Sequence, residues 1–310
     1  MSLLEKLKDL FFAPTPQRPE TPTPLPKGMR SRSVQCMSAS GLHRMAYVEW
    51  GDADNPNVLI CVHGLTRNCR DFDFLAQSLA REYRVVCPDV VGRGRSDWLK
   101  VADGYGLPTY VNDMMMLIAR LDVDKVHWLG TSMGGLIGMT MASQEHSPIE
   151  RLVLNDVGPL ITGASLKRIS EYVGKAPRFA TMDDAEKYIR LVGAPFGPLS
   201  DAQWRHLTVH ATRETPEGEV EMAYDPAIAQ PFRKAFAFGN VDLWPIYDAV
   251  RCPTLVMRGA ESDLLLHETA VEMSQRGPKA QLAEIAGVGH APMLMDEGQV
   301  RVVREFLTGH

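Results

Sequence analysis

Short apolar runs alternate with amphipathic stretches along the first half of the chain. The runs Asn57–Val62, Tyr83–Pro88 and Arg151–Asn155 are nearly continuous in apolar residues, as is typical of strands buried on both faces. The stretches Phe72–Glu82 and Pro108–Leu121 carry apolar residues at helical spacing instead. Strands that alternate with helices predict a parallel sheet covered by helices on both faces.

The same pattern resumes near the end of the chain, so the predicted sheet includes distant segments. The eight predicted strands are Ser33–Met37, His43–Trp50, Asn57–Val62, Tyr83–Pro88, Lys125–Leu129, Arg151–Asn155, Thr254–Arg258 and Ala280–Ile285. Helices are predicted near Glu268–Gln275 and Gln299–Leu307. We therefore predict an α/β core made of residues 33–157 and 241–310.

Residues 158–240 interrupt the alternation. No strong strand pattern occurs there, and the helical stretches are Ser165–Val173, Met182–Val192, Ser200–Thr212 and Pro226–Phe238. Ser200 and Gln203 have the spacing of a capping box at the start of one helix. We predict a helical cap inserted over the carboxyl edge of the sheet, where open α/β sheets bind their ligands.

Residues 1–32 form a separate N-terminal segment. Residues 1–12 predict a short amphipathic helix, and six prolines between residues 13 and 27 predict a stiff linker. The helix is expected to dock on its own domain or on a neighbouring subunit as the arm of a homodimer. A membrane-surface anchor is a weaker interpretation, because the helix is short and not basic. No apolar stretch reaches the length of a membrane span.

The net charge and the cysteines bear on the binding partners and the cellular location of the protein. The formal net charge of −5 gives no indication of a nucleic-acid partner. The number of cysteines, five, is odd, and no two of them have Cys-x-x-Cys spacing. We interpret them as reduced thiols, which predicts a cytoplasmic location.

The strongest motif is Gly130-Thr131-Ser132-Met133-Gly134. It lies between the strand that ends at Leu129 and a helix that begins near Gly135. This is Gly-x-Ser-x-Gly in the strand–turn–helix context of a nucleophile elbow. Its small residues are needed because a serine at so sharp a turn adopts a strained backbone. The sequence therefore predicts an exposed nucleophile at Ser132.

This order of elements resembles the α/β-hydrolase fold family over residues 33–310. The run His63-Gly64-Leu65, the loop Asp89-x-x-Gly92-x-Gly94-x-Ser96 and the elbow are all similar to capped serine hydrolases of that family, which include carboxylesterases. The resemblance implies a mostly parallel eight-stranded sheet, helices on both faces and an inserted helical cap.

The resemblance also implies a catalytic triad in the chain order Ser, acid, His. Ser132 would be the nucleophile and His290, in the glycine-rich loop before the last helix, its base. Asp263, in the loop after the strand Thr254–Arg258, is the favoured acid. Asp156 follows the preceding strand and is the alternative acid.

The backbone amides of Leu65 and Met133 would form the oxyanion hole, by the same resemblance. This chemistry requires no metal and no organic cofactor. His206 and His210 stand four residues apart in a predicted helix, but the sequence offers no third metal ligand, and we interpret them as part of a polar helix face.

The predicted function is hydrolysis of a small carboxylic ester through an acyl-enzyme. Three alternatives share the fold: a carbon–carbon bond hydrolase, a lactonase or perhydrolase, and a ligand receptor that does not turn over. Carbon–carbon bond hydrolases typically carry a different loop after His-Gly than Leu65-Thr66-Arg67-Asn68. Ester turnover would separate an enzyme from a receptor. The cap sequence does not identify the substrate.

Overall fold

An eight-stranded sheet runs through the protein, in a computed structural model that describes residues 26–39, 41–236 and 239–309, without the side chains of residues 235 and 236. The strands are β1 (Met29–Ser38), β2 (Gly41–Trp50), β3 (Val58–Val62), β4 (Arg84–Pro88), β5 (Val126–Thr131), β6 (Ile149–Asn155), β7 (Thr254–Gly259) and β8 (Gln281–Ile285). Their spatial order is β1-β2-β4-β3-β5-β6-β7-β8. Only β2 runs against its neighbours, β1 and β4, so the predicted mostly parallel sheet is confirmed.

Alternate residues of the central strands supply two separate cores. In β3, Leu59 and Cys61 face one apolar cluster, whereas Ile60 and Val62 face the other. All five residues of this strand are buried. A strand covered on both faces has no need for polar side chains, which explains the continuous apolar run.

Helices cover both faces, as predicted. The described α-helices are α1 (Asp73–Leu79), α2 (Leu107–Leu121), α3 (Met133–Ala142), α4 (Gly163–Ser170), α5 (Met182–Val192), α6 (Asp201–Ala211), α7 (Ala229–Phe236), α8 (Trp244–Ala249), α9 (His267–Met273) and α10 (Glu297–Thr308). Helix α2 packs in the cluster of Ile60, and α10 packs in the cluster of Leu59. The pattern did not predict α8.

The chain between β6 and β7 contains α4 to α7. It leaves and rejoins the sheet at one point, because Leu160–Ile161 pairs with Val241–Asp242 as a two-stranded ribbon. We call residues 158–240 the insertion. It is less helical than predicted, since three short strands, Arg178–Phe179, Thr212–Glu214 and Val220–Met222, form a second small sheet. Two- and three-residue strands are too short to give a recognisable alternation.

Two terminal predictions have different outcomes. The first strand begins at Met29 rather than near Ser33, because Met29 already pairs with Trp50 across the antiparallel register. The helix predicted over residues 1–12 and most of the proline linker lie outside the described residues. The structure does not describe residues 237 and 238 at the end of a predicted cap helix. Within the described ranges, no helix is long and apolar enough to span a membrane.

Candidate active site

Ser132 stands at a sharp turn between β5 and α3. Its backbone has φ 51° and ψ −115°, a conformation that non-glycine residues rarely adopt. A Cβ on Gly134 would lie 2.0 Å from the Val62 carbonyl oxygen, and one on Gly130 would lie 2.2 Å from the Gly134 carbonyl carbon. Both glycines are therefore required by close backbone contact. The turn leaves Ser132 on the wall of a cavity at the carboxyl edge of the sheet.

His290 follows β8 and lies on the same cavity wall. Its Nδ1 atom is 2.8 Å from the Oδ2 atom of Asp156, which is fully buried at the end of β6. The second oxygen of Asp156 accepts a hydrogen bond from the Gly259 amide at 2.8 Å, and Oδ2 also accepts one from the Ser262 hydroxyl. A carboxylate held in this way can fix the tautomer and the orientation of the imidazole ring.

Asp263 does not lie beside His290. Its carboxylate is 54% exposed and binds the guanidinium of Arg168, whose Nη2 donates to Oδ1 at 2.8 Å. The Asp263 carbonyl accepts a hydrogen bond from the Ser165 hydroxyl at 2.7 Å. Both contacts join Asp263 to α4 of the insertion. Of the two candidate acids, the structure therefore brings the alternative, Asp156, to His290, and it places the favoured one, Asp263, against Arg168.

The predicted oxyanion-hole residues, Leu65 and Met133, line the cavity together with Ser132. Met133 is the first residue of α3, where backbone N–H groups have no partner within the helix. His63 shapes the loop that carries Leu65. It is fully buried, its Nδ1 contacts the Gly64 carbonyl at 2.7 Å, and its Nε2 accepts a hydrogen bond from the Val90 amide at 3.0 Å. Burial lowers the pKa of His63 to about 4, so the ring is neutral and acts as a structural link.

Arg93 is a site residue that the sequence did not single out. Its side chain is fully buried, and its Nε donates to the Leu65 carbonyl at 2.8 Å. Nη2 lies 3.6 Å from the Met133 sulfur, and Nη1 donates to the Tyr110 hydroxyl at 2.9 Å. One guanidinium therefore contacts both residues whose amides are expected to hold the oxyanion. The only signal in the sequence was its position between the glycines of the Asp89–Ser96 loop.

We expect Arg93→Lys to lower kcat/KM for p-nitrophenyl butyrate by about 10- to 100-fold. Lysine keeps the charge but cannot hold the Leu65 carbonyl and the Met133 side chain at once, and hydrogen bonds from charged groups contribute about 1.5–3 kcal/mol. Arg95→Lys, in the same loop, is the matched control and should stay within about threefold. An unchanged kcat/KM for Arg93→Lys would mean that the loop that carries Leu65 keeps its geometry without the guanidinium of Arg93.

His206 and His210 contact each other and a carboxylate that the sequence did not reveal. Their ring nitrogens and a carboxylate oxygen of Asp73 lie within 4.8 Å of one another, a set that could hold a metal ion. Arg70 binds this carboxylate with Nε and Nη2, at distances down to 2.6 Å. Asp73 thus forms an ion pair with Arg70, at the contact between α1 and α6.

The cavity has a volume of about 450 Å³ and walls that are mainly apolar. The core supplies Ser132, His290 and the loop around Leu65, and the insertion supplies aromatic side chains such as Tyr188, Phe196 and Phe232. An apolar cavity with a few polar groups at one end is typical of a site for a small organic ligand.

The comparisons with known proteins concern the fold and the family of the chain. The family model described as alpha/beta hydrolase fold matches residues 57–296. A 3-hydroxybutyrate-oligomer hydrolase from Cupriavidus necator is 50% identical over 283 residues, which cover 89% of this chain and 97% of that protein. An N-formylmaleamate deformylase from Pseudomonas putida is 28% identical and covers 82% and 88% of the two chains.

Solved structures give the same result. A putative hydrolase from Rickettsia typhi has a TM-score of 0.84 and 33% identity, covering 91% of this chain and 99% of its own. An alpha/beta hydrolase from Novosphingobium aromaticivorans has a TM-score of 0.80 and 34% identity, with 91% and 98% covered. The sequence and the sheet both place this protein in one group: the chain belongs to the alpha/beta hydrolase fold family.

Proposed function

We propose that this protein is a serine esterase that hydrolyses oligomers of 3-hydroxybutyrate, with Ser132, His290 and Asp156 as its triad. The observation that carries the proposed chemistry is the 2.8 Å contact between His290 and the buried Asp156, on a cavity wall that also holds Ser132. The substrate class comes from the relative that is 50% identical over most of both chains.

The reaction proceeds by two acyl transfers. His290 removes the hydroxyl proton while the Ser132 oxygen attacks the ester carbonyl carbon, and the amides of Leu65 and Met133 donate to the oxyanion. Collapse breaks the bond between the carbonyl carbon and the alkoxy oxygen, which takes its proton from His290. Water then attacks the acyl-enzyme with His290 again as base. The products are an alcohol and a carboxylic acid, and this sequence of steps involves no metal or organic cofactor.

The cavity suits the acyl chain of such a substrate. Each methylene group that moves from water to an apolar wall contributes about 0.8 kcal/mol, so a 450 Å³ apolar cavity favours chains that fill it. The insertion supplies much of the wall. We propose that it acts as a cap (residues 158–240) over a core of residues 33–157 and 241–310, and that it determines the substrate length.

We also propose a cytoplasmic location for the protein. All five cysteines are free thiols, which supports a reducing, cytoplasmic compartment. The role of residues 1–32 as a dimer arm stays a prediction. It would be contradicted if a chain that begins at Lys27 had the same subunit number in solution as the full chain.

The test is the release of 3-hydroxybutyrate from its linear dimer and trimer, followed by chromatography, beside a series of p-nitrophenyl esters. We expect both oligomers to be cleaved and medium-length p-nitrophenyl esters to be preferred over acetate. Cleavage of the p-nitrophenyl esters without cleavage of the oligomers would reject the substrate class but keep the esterase. Failure on every ester would reject the esterase itself.

A further inference from the structure

The cavity that contains Ser132 has an excess of positive charge. Among the described residues that line it, the formally charged ones are Arg67, Asp71 and Arg168. Arg67 and Asp71 neutralise each other, since Arg67 donates to both Asp71 oxygens at 2.8 and 2.6 Å. Arg168 has its counter-charge on Asp263, which is not among these lining residues. One formal positive charge therefore faces an otherwise mainly apolar cavity.

The pair between Arg168 and Asp263 is open to exchange. The Arg168 side chain is 36% exposed and that of Asp263 is 54% exposed, so water screens their attraction. Asp263 occupies the Nε and Nη2 edge of the guanidinium. A guanidinium has five N–H donors in a planar fork, and its second edge can bind another carboxylate. Arg168 also acts on Tyr172, another residue of the cavity wall: burial raises the pKa of this tyrosine, and the positive charge of Arg168 opposes the rise.

The backbone position of Arg168 does not depend on its guanidinium. Helix α4 is capped by Thr162, whose hydroxyl accepts a hydrogen bond from the Ser165 amide at 3.2 Å. The Ser165 hydroxyl donates to the Asp263 carbonyl, which fastens the helix to the loop after β7. A change at the end of the Arg168 side chain leaves these contacts in place. The charge can therefore be removed without removing the wall.

We propose that Arg168 binds the free carboxylate of a linear hydroxyacid oligomer whose ester bond lies at Ser132. This proposal rests on the proposed function and names the group that the cavity recognises. Each oligomer carries one carboxylate at one end, and an apolar cavity would reject that charge without a partner. Arginine forms short, bidentate hydrogen bonds with a carboxylate. Binding at Arg168 holds the oligomer by its acid end and so fixes which ester bond meets Ser132.

The experiment measures binding rather than turnover. The full chain with Ser132→Ala is titrated calorimetrically with the 3-hydroxybutyrate trimer, as the free acid and as its methyl ester. We expect the acid to bind at least about tenfold more tightly than the ester. Arg168→Gln in the same background should remove this preference, and Arg168→Lys should keep part of it. Asp263→Asn should strengthen binding of the acid, because it removes the competing carboxylate.

Arg190→Gln is the matched control. Arg190 lies in the insertion, is 35% exposed and pairs with Glu186 and Asp201, away from the cavity lining. The Arg190→Gln change should leave the preference for the acid over the methyl ester unchanged. The proposal is overturned if acid and ester bind equally, if neither binds, if Arg168→Gln keeps the preference, or if Arg190→Gln removes it to the same extent.

The proposed function is tested separately, by the turnover of the trimer methyl ester by the parent enzyme, because that substrate has no carboxylate for Arg168. Cleavage of the methyl ester together with equal binding of the two trimers would reject the role of Arg168 alone. Tight, Arg168-dependent binding of the acid with no cleavage of either trimer would support the carboxylate site and reject the oligomer hydrolase.

Discussion

Replacing Ser132 by alanine is expected to lower the turnover of p-nitrophenyl butyrate by about 10⁴- to 10⁶-fold. The variant lacks the oxygen that we propose as the nucleophile, and in the proposed mechanism neither His290 nor the amides of Leu65 and Met133 can replace it. The measurement is the steady-state rate, followed by the absorbance of p-nitrophenolate, with a single-turnover reaction to detect any remaining acylation.

Ser143→Ala is the control for this change. Ser143 lies at the end of α3, the helix that begins directly after Ser132. Its hydroxyl donates only to the Thr140 carbonyl, at 2.9 Å. This variant should keep the parent rate. The stability of Ser132→Ala should stay close to that of the parent, because the strained backbone is imposed by the turn and not by the hydroxyl. A Ser132→Ala protein that is folded and still hydrolyses the ester at more than about 1% of the parent rate would exclude Ser132 as the nucleophile.

The elbow and the sheet were predictable because each has a local physical cause. Gly130 and Gly134 are needed where backbone atoms would touch a Cβ, and such contacts allow only one residue type. The buried strands were predictable because both faces of β3 and β7 are covered, so no polar position interrupts them. The capping box of Ser200 and Gln203 was confirmed for a similar reason, since it involves only neighbouring residues.

The partners of the site residues were not predictable, because they are set by contacts between distant segments. Arg168 and Asp263 are 95 residues apart, and Asp156 and His290 are 134 residues apart. Asp156 and Asp263 each follow a strand of the sheet, and a sequence pattern contains no signal for which carboxylate turns inward. The decisive features are structural: Asp156 has φ 53°, and its amide donates to the Met257 carbonyl at 2.8 Å.

The loop that was predicted to supply the acid contributes in another way. Gly259 and Ser262 both donate hydrogen bonds to the Asp156 carboxylate, at 2.8 and 2.5 Å. The Ser262 oxygen in turn accepts bonds from the amides of Leu264 and Leu265. The loop thus orients the Asp156 carboxylate at the end of the neighbouring strand, while Asp263 pairs with Arg168 of the insertion. The loop named in the prediction therefore contacts the site through Gly259 and Ser262 rather than through Asp263.

These contacts lead to the second large effect that we expect. Asp156→Asn should lower kcat for p-nitrophenyl butyrate by about 10³- to 10⁴-fold, because an amide can present an N–H group to Nδ1 and so favour the wrong tautomer of His290. KM should change little, since Asp156 is fully buried and is not among the residues that line the cavity. The measurement is a full kinetic profile for the parent and for both Asp156→Asn and Asp263→Asn.

Asp263→Asn is the matched control, because the same chemical change is made at the other candidate acid. It should keep kcat for this neutral ester within about threefold, since its carboxylate faces Arg168 rather than His290. The opposite result, loss of kcat in Asp263→Asn with an active Asp156→Asn, would return the acid role to Asp263. It would require the loop after β7 to release α4 and turn toward His290 during catalysis. Equal losses in two folded variants would mean that the buried contact at His290 and the ion pair at the insertion act together in holding the imidazole.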